Sequence, residues 1–230
     1  MALLSESDRQ AVQNRLAGIT EQVTLLFFTQ TFGAPETVLI AKQVLDEVVS
    51  LSDRVTLEEA NLILDKDRAA QFGISDIPAV VLLRNGEDTR MRFLGAPAGY
   101  EFMSLIEAVV LAGTKDSGLT PASRTAIAHL TEPVDIKVFV TPSCPHCPRA
   151  VTLAHRMAVE NPNIQATCVE ATEFMDLAQM YRVTGVPKTI VEGTPVEILG
   201  AVPEDAFVGT IVNAFQPKAP DAAGDQSSPH

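Results

Sequence analysis

The chain has 230 residues, of which 46% are hydrophobic and 20% charged, and a formal net charge of −12. This composition predicts a sizeable core in one or two domains, and the negative charge argues against a surface that binds nucleic acid or an anionic membrane. Neither an apolar run long enough to cross a membrane nor a secretory signal is found, so we expect a cytoplasmic protein whose partners include no nucleic acid and no membrane.

Comparison of the chain with itself reveals a tandem repeat. The pairs of similar segments are 25–49 with 137–161, 72–86 with 181–193, and 93–110 with 198–215. The repeat predicts a first unit over residues 1–116 and a second unit over 117–216. The remaining stretch, 217–230, is polar and rich in Pro and Ala, and its composition predicts a disordered tail.

Each unit shows the same order of predicted elements. A short amphipathic helix comes first, with Val12, Leu16 and Ile19 at helical spacing in the first unit. A buried strand, a turn and a longer helix follow, and then a second strand and a short helix. An X-Pro step opens a strand hairpin, with Asn85-Gly86 as its turn in the first unit, and a last helix closes the unit. This order predicts an α/β fold in which each unit is a mixed four-stranded sheet flanked by helices.

Two of the three cysteines lie in the segment FVTPSCPHCPRAV, which follows the first predicted strand of the second unit. In a cytosolic protein, a C-x-x-C pair is more often redox-active or metal-binding than a permanent structural disulfide. A cysteine in the first turn of a helix faces unpaired N–H groups and the positive end of the helix dipole, which favour the Cys144 thiolate. We therefore predict Cys144 as the nucleophile and Cys147 as the cysteine that resolves the mixed disulfide.

Neighbouring residues are expected to tune the pair. Pro145 restricts the loop, and His146 either supports the thiolate by a hydrogen bond or positive charge, or is an exposed loop histidine. Glu170, at the end of the second strand of its unit, either exchanges protons with Cys147 or is a solvated glutamate. The third cysteine, Cys168, is more often a small buried core residue than a further redox thiol.

Cys-Pro-His-Cys after a strand, with Gly-Val-Pro before a hairpin further on, resembles the thioredoxin/glutaredoxin superfamily. Two such units in one chain resemble the glutaredoxin-like protein disulfide oxidoreductases. They also resemble the related N-terminal domain of the alkyl hydroperoxide reductase flavoprotein, in which the second unit alone keeps its cysteines. This chain departs from the oxidoreductase pattern in the same way, because residues 32–35, Phe-Gly-Ala-Pro, occupy the position of a first C-x-x-C.

The resemblance implies thioredoxin-like units and a thiol-disulfide oxidoreductase that needs no cofactor. Its partners would be protein disulfides and dithiols, with a separate thioredoxin-reductase-like protein as the source of electrons. The resemblance also implies a cis Pro187 beside the nucleophile, where the backbone of Val186 can pair with an extended substrate chain. Pro78 is expected to be cis as well.

Three other functions stay open. A structural metal needs four ligands, and the sequence offers no further ligands at a recognised spacing, so no metal is expected. The remaining candidate ligands are Cys168, His129, His155 and His230. A second alternative is an electron relay serving a peroxidase or reductase partner, and the absence of a G-x-G-x-x-G segment would place the flavin on a separate protein. The third is a non-catalytic binding or adaptor module.

The first unit has no cysteine, so we expect it to contribute stability and docking but no electrons. Phe32 is predicted to pack against the Pro78 loop, where burial of its ring would stabilise the unit. The two units are expected to lie side by side, related by a pseudo-twofold axis or a simple rotation.

Overall fold

The computed structural model describes residues 4–216, so the predicted tail and His230 lie outside the described residues. Both units contain four helices and four strands in the same order. The first unit comprises α1 (Glu6–Leu16), β1 (Val23–Thr29), α2 (Thr37–Val49), β2 (Val55–Asn61), α3 (Lys66–Gln71), β3 (Ala79–Arg84), β4 (Glu87–Leu94) and α4 (Glu101–Thr114). The second comprises α5 (Pro121–Ala128), β5 (Val134–Val140), α6 (Cys147–Glu160), β6 (Ile164–Glu170), α7 (Met175–Met180), β7 (Lys188–Val191), β8 (Glu197–Leu199) and α8 (Glu204–Asn213).

Local signals repeat between the units and explain where these elements begin and turn. The Ser5 side chain accepts a hydrogen bond from the Asp8 N–H at the start of α1. Thr120 caps α5 in the same way with Ser123, and such caps satisfy N–H groups that have no partner within the helix. Asn85 and Gly86 both adopt positive φ angles between β3 and β4, as a tight two-residue hairpin requires.

The eight strands form one continuous sheet in the order β2-β1-β3-β4-β6-β5-β7-β8. In each half a parallel pair is followed by antiparallel neighbours, so each half is the mixed four-stranded sheet that the sequence predicts. The two halves join because β4 pairs in parallel with β6, which places Phe93 opposite Cys168. The α/β fold is therefore confirmed, and the structure adds that the two sheets merge into one.

The merged sheet also fixes how the units are related. A twofold axis would reverse either the direction of the strands or their order in the second half. Neither is reversed, because β4 and β6 are parallel and both halves present their strands in the same order. Of the two expected relations the pseudo-twofold axis is therefore excluded, which leaves the simple rotation, and the units are repeated head to tail along the sheet.

Helix α6 lies at the junction of the two units. It packs against α4 and β4 of the first unit as well as against the strands of its own unit. On the side of α6, the buried His155 ring meets Phe93 of β4 edge to face, with the ring centroids 5.2 Å apart. The helix that begins with Cys147 is therefore held by residues of both units.

Candidate active site

Cys144 and Cys147 form a disulfide with their Cα atoms 5.5 Å apart. Cys147 is the first residue of α6 and is completely buried, whereas Cys144 keeps 9% of its surface exposed. The Cys144 N–H donates to the Thr141 carbonyl at 3.1 Å, and the Cys147 N–H donates to the Cys144 carbonyl at 3.4 Å. These turns place Cys144 on the solvent side of the pair and Cys147 on the core side.

The helix begins later than the sequence pattern predicts. His146 is the N-cap residue and Cys147 opens the helix, so Cys144 lies just before the first turn and not within it. The disulfide nevertheless keeps the Cys144 sulfur beside the N-terminal end of α6, where backbone N–H groups have no partner within the helix. Pro145 and His146 are both exposed. The His146 side chain makes no hydrogen bond with the described part of the chain, so in the disulfide form it adds no hydrogen bond to the pair.

Both predicted X-Pro steps are cis in the structure, at Ile77-Pro78 and at Val186-Pro187. The Cys144 sulfur lies 3.8 Å from the carbonyl oxygen of Val186. Neither the N–H nor the carbonyl of Val186 has a backbone partner within residues 4–216, while the Pro187 carbonyl accepts from the Gly200 N–H at 2.8 Å. A short length of unpaired backbone therefore runs beside Cys144, the more accessible cysteine of the pair, and such an edge can pair with an extended chain.

Glu170 is buried, and the turn that follows β6 uses its carboxylate. One carboxylate oxygen accepts from the Thr172 hydroxyl at 2.7 Å and from the Glu173 N–H at 2.6 Å, and the other accepts from Thr172 as well. These bonds give Glu170 a structural role at the end of β6. The expectation of a solvated glutamate is therefore wrong, because Glu170 is 3% exposed, and a role in proton exchange with Cys147 stays a prediction.

Cys168 is a free buried thiol on β6. Burial raises its pKa well above the usual value, and the neighbouring Glu101 raises it further. The thiol therefore stays protonated, and its sulfur donates to a carboxylate oxygen of Glu101 at 3.5 Å. A cysteine in this environment behaves as a small core residue.

Glu101, the partner of Cys168, is a buried carboxyl group that no sequence pattern predicted. It is 1% exposed, and burial raises its pKa to about 7. Its second oxygen, Oε1, has no hydrogen-bond partner among residues 4–216. In the sequence, a glutamate at the start of a predicted helix is an ordinary N-terminal carboxylate. Its burial depends on the packing of α4 against the second unit, and no local pattern indicates that packing.

The first unit also touches the loop that precedes Cys144. The Tyr100 N–H donates to the carbonyl of Pro142 at 2.9 Å. At Gly99 the backbone comes so close that an added Cβ would lie 2.3 Å from the same carbonyl oxygen, and its φ is +61°. Only glycine fits this approach and this conformation without strain. The first unit thus forms one wall of the candidate site.

Phe32 does not pack where the sequence pattern placed it. Its side chain is 87% exposed, so the predicted packing against the Pro78 loop is wrong. In the repeat, Pro35 corresponds to Cys147, yet α2 begins at Thr37, two residues later than α6 does. Without a disulfide across the turn, the loop before α2 is longer, and it passes through a positive φ at Gly33. The ring is therefore directed into solvent.

Metal-binding clusters and membrane-spanning helices are both absent from the described part of the chain. Between residues 4 and 216, no three His, Cys, Asp or Glu side chains are grouped so that they could hold a metal ion. His155, one of the candidate ligands, is buried, and burial lowers its pKa to about 4. The same residues contain no helix with the length and hydrophobicity needed to span a bilayer.

Comparisons with known proteins agree with this geometry. The family description "Thioredoxin domain" matches residues 134–213, which lie in the second unit. The alkyl hydroperoxide reductase AhpF of Escherichia coli is 29% identical over 152 residues, which cover 66% of this chain and 27% of that protein. The match therefore spans about a quarter of that curated relative.

Two solved structures match both units. The NTD_N/C domain of alkylhydroperoxide reductase AhpF from Enterococcus faecalis gives a TM-score of 0.84 at 30% identity, covering 90% of this chain and 99% of that one. A protein disulfide oxidoreductase from Aeropyrum pernix gives a TM-score of 0.82 at 31% identity, covering 91% and 93%. Both similarities extend over nearly the whole of the described chain.

Proposed function

Because the chain belongs to the family of tandem thioredoxin-fold proteins that includes protein disulfide oxidoreductases and the N-terminal domain of alkyl hydroperoxide reductase AhpF, we propose that it exchanges disulfides with protein substrates through Cys144 and Cys147. In the reducing direction, the Cys144 thiolate attacks a substrate disulfide and releases one substrate thiol. Cys147 then attacks Cys144 in the mixed disulfide and releases the second thiol. Two electrons and two protons pass to the substrate, and the Cys144–Cys147 disulfide is formed.

The unequal exposure of the two cysteines is the observation that supports this proposal most strongly. Cys144 is the outer member and Cys147 is fully buried, so an incoming disulfide can reach the first sulfur and not the second. The nucleophilic and resolving roles follow from this difference, because an attacking thiol must be accessible.

The unpaired backbone at Val186 supports a substrate that is itself a polypeptide. An extended segment could form strand-like hydrogen bonds with the Val186 N–H and carbonyl while its disulfide faces Cys144. Pro187 would hold that backbone in place. Tyr100 of the first unit is 49% exposed, and its N–H contacts the loop before Cys144. Pro145 and His146 are the residues that we expect to tune the potential of the pair.

For the proton that must leave Cys147 during resolution, we propose Glu101 as a candidate together with Glu170. Glu101 directly follows Tyr100, whose N–H contacts the loop before Cys144. Glu101 has a pKa of about 7 and an oxygen without a partner among the described residues, so it can accept and return a proton near neutral pH. Both oxygens of Glu170 already accept hydrogen bonds from the turn after β6.

The direct test is reduction of insulin disulfides driven by dithiothreitol and followed by turbidity. The chain should accelerate insulin precipitation well above the rate with dithiothreitol alone. Acceleration that survives alkylation of Cys144 in the reduced protein would contradict the proposal. The cytoplasmic location expected from the sequence is part of the same proposal.

An electron relay to a peroxidase is the second candidate, and the match to the AhpF domain of Enterococcus faecalis favours it. In this role a separate thioredoxin-reductase-like protein would reduce Cys144–Cys147, and the dithiol would then reduce the disulfide of a peroxidase. Rapid-mixing measurements with an oxidised two-cysteine peroxidase and with insulin separate the candidates. A rate constant several orders of magnitude larger for the peroxidase would support the relay, and similar rate constants would support a general oxidoreductase.

A further inference from the structure

An exposed apolar cluster surrounds the position in the first unit where the C-x-x-C is missing. We call this region the unit 1 mouth and define it as the loop 30–36, the first turns of α2 and the turn 62–65. It holds five of the ten large hydrophobic side chains that are exposed in the described chain. They are Phe32, Leu39, Ile40, Ile63 and Leu64, with exposed fractions from 45% to 87%. Single exposed apolar residues are common, but a concentration of this kind marks an interaction site.

Backbone hydrogen bonds place the parts of this mouth next to one another. The Leu62 N–H donates to the Thr29 carbonyl at 2.7 Å, so the turn that carries Ile63 and Leu64 lies at the base of the loop that carries Phe32. A cavity of about 520 Å³ opens between that loop and α2, and Leu39 is one of its lining residues. Leu39 is the one of the five exposed side chains that lines this recess, and Phe32 belongs to the loop on its other side. The recess has a size that side chains can enter.

The first unit also keeps the unpaired backbone that the second unit has at its active site. The Ile77-Pro78 peptide bond is cis, as Val186-Pro187 is. Within residues 4–216 the N–H and carbonyl of Ile77 have no hydrogen-bond partner, while the Pro78 carbonyl accepts from the Gly95 N–H at 2.8 Å. The next residue, Ala79, pairs with Phe28 at the end of β1, which leads into the loop of the mouth.

The charged residues that line the recess favour a positively charged ligand. Glu36, Glu59 and Lys42 line the recess, so two carboxylates face one ammonium group. Lys42 already pairs with Asp46 of its own helix and, at 3.4 Å, with Glu59. Glu36 has no ion-pair partner among the described residues, which leaves a net negative charge at the rim.

We propose that the unit 1 mouth is a non-covalent docking site for an extended polypeptide segment in which apolar residues are flanked by basic ones. In the complex, the apolar side chains of the bound segment cover Phe32 and Leu39, and its basic residues face Glu36. The backbone of the segment pairs with Ile77 by strand addition. Docking of this kind holds a client to the chain without a thiol, so it does not depend on turnover at Cys144.

A fluorescent, cysteine-free peptide with an apolar centre and lysine flanks is the probe, and its binding to the full chain is followed by anisotropy. The variant Phe32→Ser/Leu39→Gln should weaken binding about tenfold, because central apolar contacts dominate such interfaces. The control Leu199→Ser removes exposed apolar surface from the second unit and should leave the affinity unchanged. A peptide with aspartate flanks should bind more weakly, and raised salt should reduce the difference between the two.

The backbone contact has its own test. Replacing alternate amides of the peptide by esters removes N–H donors while the side chains stay the same. The ester peptide should bind the unaltered chain more weakly than the amide peptide does. Equal affinity of the Phe32→Ser/Leu39→Gln variant and the unaltered chain would overturn the proposal. Loss of binding in the control variant alone would place the peptide at the second unit. If the unaltered chain self-associates and Phe32→Ser/Leu39→Gln does not, the occupant of the mouth is a second copy of the chain. Either result would also overturn it. Since the probe has no cysteine, failure of docking and failure of disulfide exchange are separate outcomes.

Discussion

The unit 1 mouth and the region around Cys144 and Cys147, the mouth of the second unit, share a strand, a turn, a helix and a cis proline. They differ in what they expose to solvent. In the second unit a disulfide closes the turn, α6 begins at the inner cysteine and the apolar residues beside it are buried. In the first unit α2 begins two residues later in the repeat, and Phe32 is exposed. When the cysteines are absent, the same fold presents an open apolar recess in place of a reactive sulfur.

The two units are also not independent. Gly99 and Tyr100 support the loop before Cys144, and the buried Glu101 bonds to Cys168 of the second unit. In the turn after β8, by contrast, an added Cβ at Gly200 would meet nothing within 4 Å among residues 4–216. The head-to-tail sheet therefore brings the first unit against the loop that carries the cysteines, while its role in stability and docking stays a prediction.

The largest effect is expected from Cys144→Ser. The variant should reduce insulin no faster than dithiothreitol alone, because the hydroxyl cannot replace the thiolate in disulfide exchange. Cys168→Ser is the matched control and should keep most of the activity, since the Cys168 thiol is buried and its pKa is raised. Equal loss in both variants would show that the redox chemistry is not confined to the mouth of the second unit.

The next largest effect is expected from Glu101→Gln, which should change how the free energy of unfolding depends on pH. The pKa of Glu101 is about 7 in the folded chain, whereas it is about 4.3 in an unfolded one. The folded state therefore keeps a proton that the unfolded state releases, and the free energy of unfolding falls as the pH rises from about 4.5 to 7. At 1.36 kcal/mol for each unit of pKa, the whole loss is about 4 kcal/mol, and about 3 kcal/mol of it falls between pH 5 and 8.

Urea unfolding of the unaltered chain and Glu101→Gln between pH 5 and 8 measures this contribution. Between pH 5 and 8, the free energy of unfolding of the unaltered chain should fall by about 3 kcal/mol relative to that of Glu101→Gln. His155 acts in the opposite direction, because its lowered pKa of about 4 makes stability rise over nearly the same range. It is present in both proteins, so it cancels in the difference. Parallel curves would contradict the assignment.

The contact between the two units can be broken at Gly99. Gly99→Ala places a Cβ against the Pro142 carbonyl, while Gly73→Ala meets nothing within 4 Å at a similar φ of +67°. Both variants suffer the strain of a positive φ, so their difference isolates the contact. We expect Gly99→Ala to lose about 2 kcal/mol more in urea unfolding and to reduce insulin more slowly at equal folded concentration. Equal losses would mean that the first unit does not shape the cysteine loop.

The smallest effect is expected at the mouth without cysteines. Phe32→Ser should change the free energy of unfolding by no more than about 0.5 kcal/mol, because an exposed ring contributes little packing. The measurement is again urea unfolding, with Leu199→Ser as an exposed control. A loss of several kcal/mol would show that the ring is buried in solution, as the sequence pattern predicts, and would remove the contrast between the mouths.

The sequence predicts the repeated elements well because their signals are local. The apolar strands, the Asn85-Gly86 turn and the C-x-x-C before a helix are each specified by a few neighbouring residues. The pairing of β4 with β6 was not predicted, since it depends on contacts between strands far apart in the chain. The burial of Glu101 follows from that pairing. Phe32 was misplaced because an apolar residue at a core-like position in the repeat gives no sign that its helix begins late.

The most direct test of the account is to identify the cysteine that forms the mixed disulfide. Cys147→Ser removes the resolving thiol, so reaction of the reduced variant with a disulfide-bonded protein should stop at the covalent complex. Mass spectrometry of the digested complex should find the substrate joined to Cys144 and not to Cys168. A substrate joined to Cys168, or no stable complex while insulin reduction continues, would contradict exchange through Cys144 and Cys147.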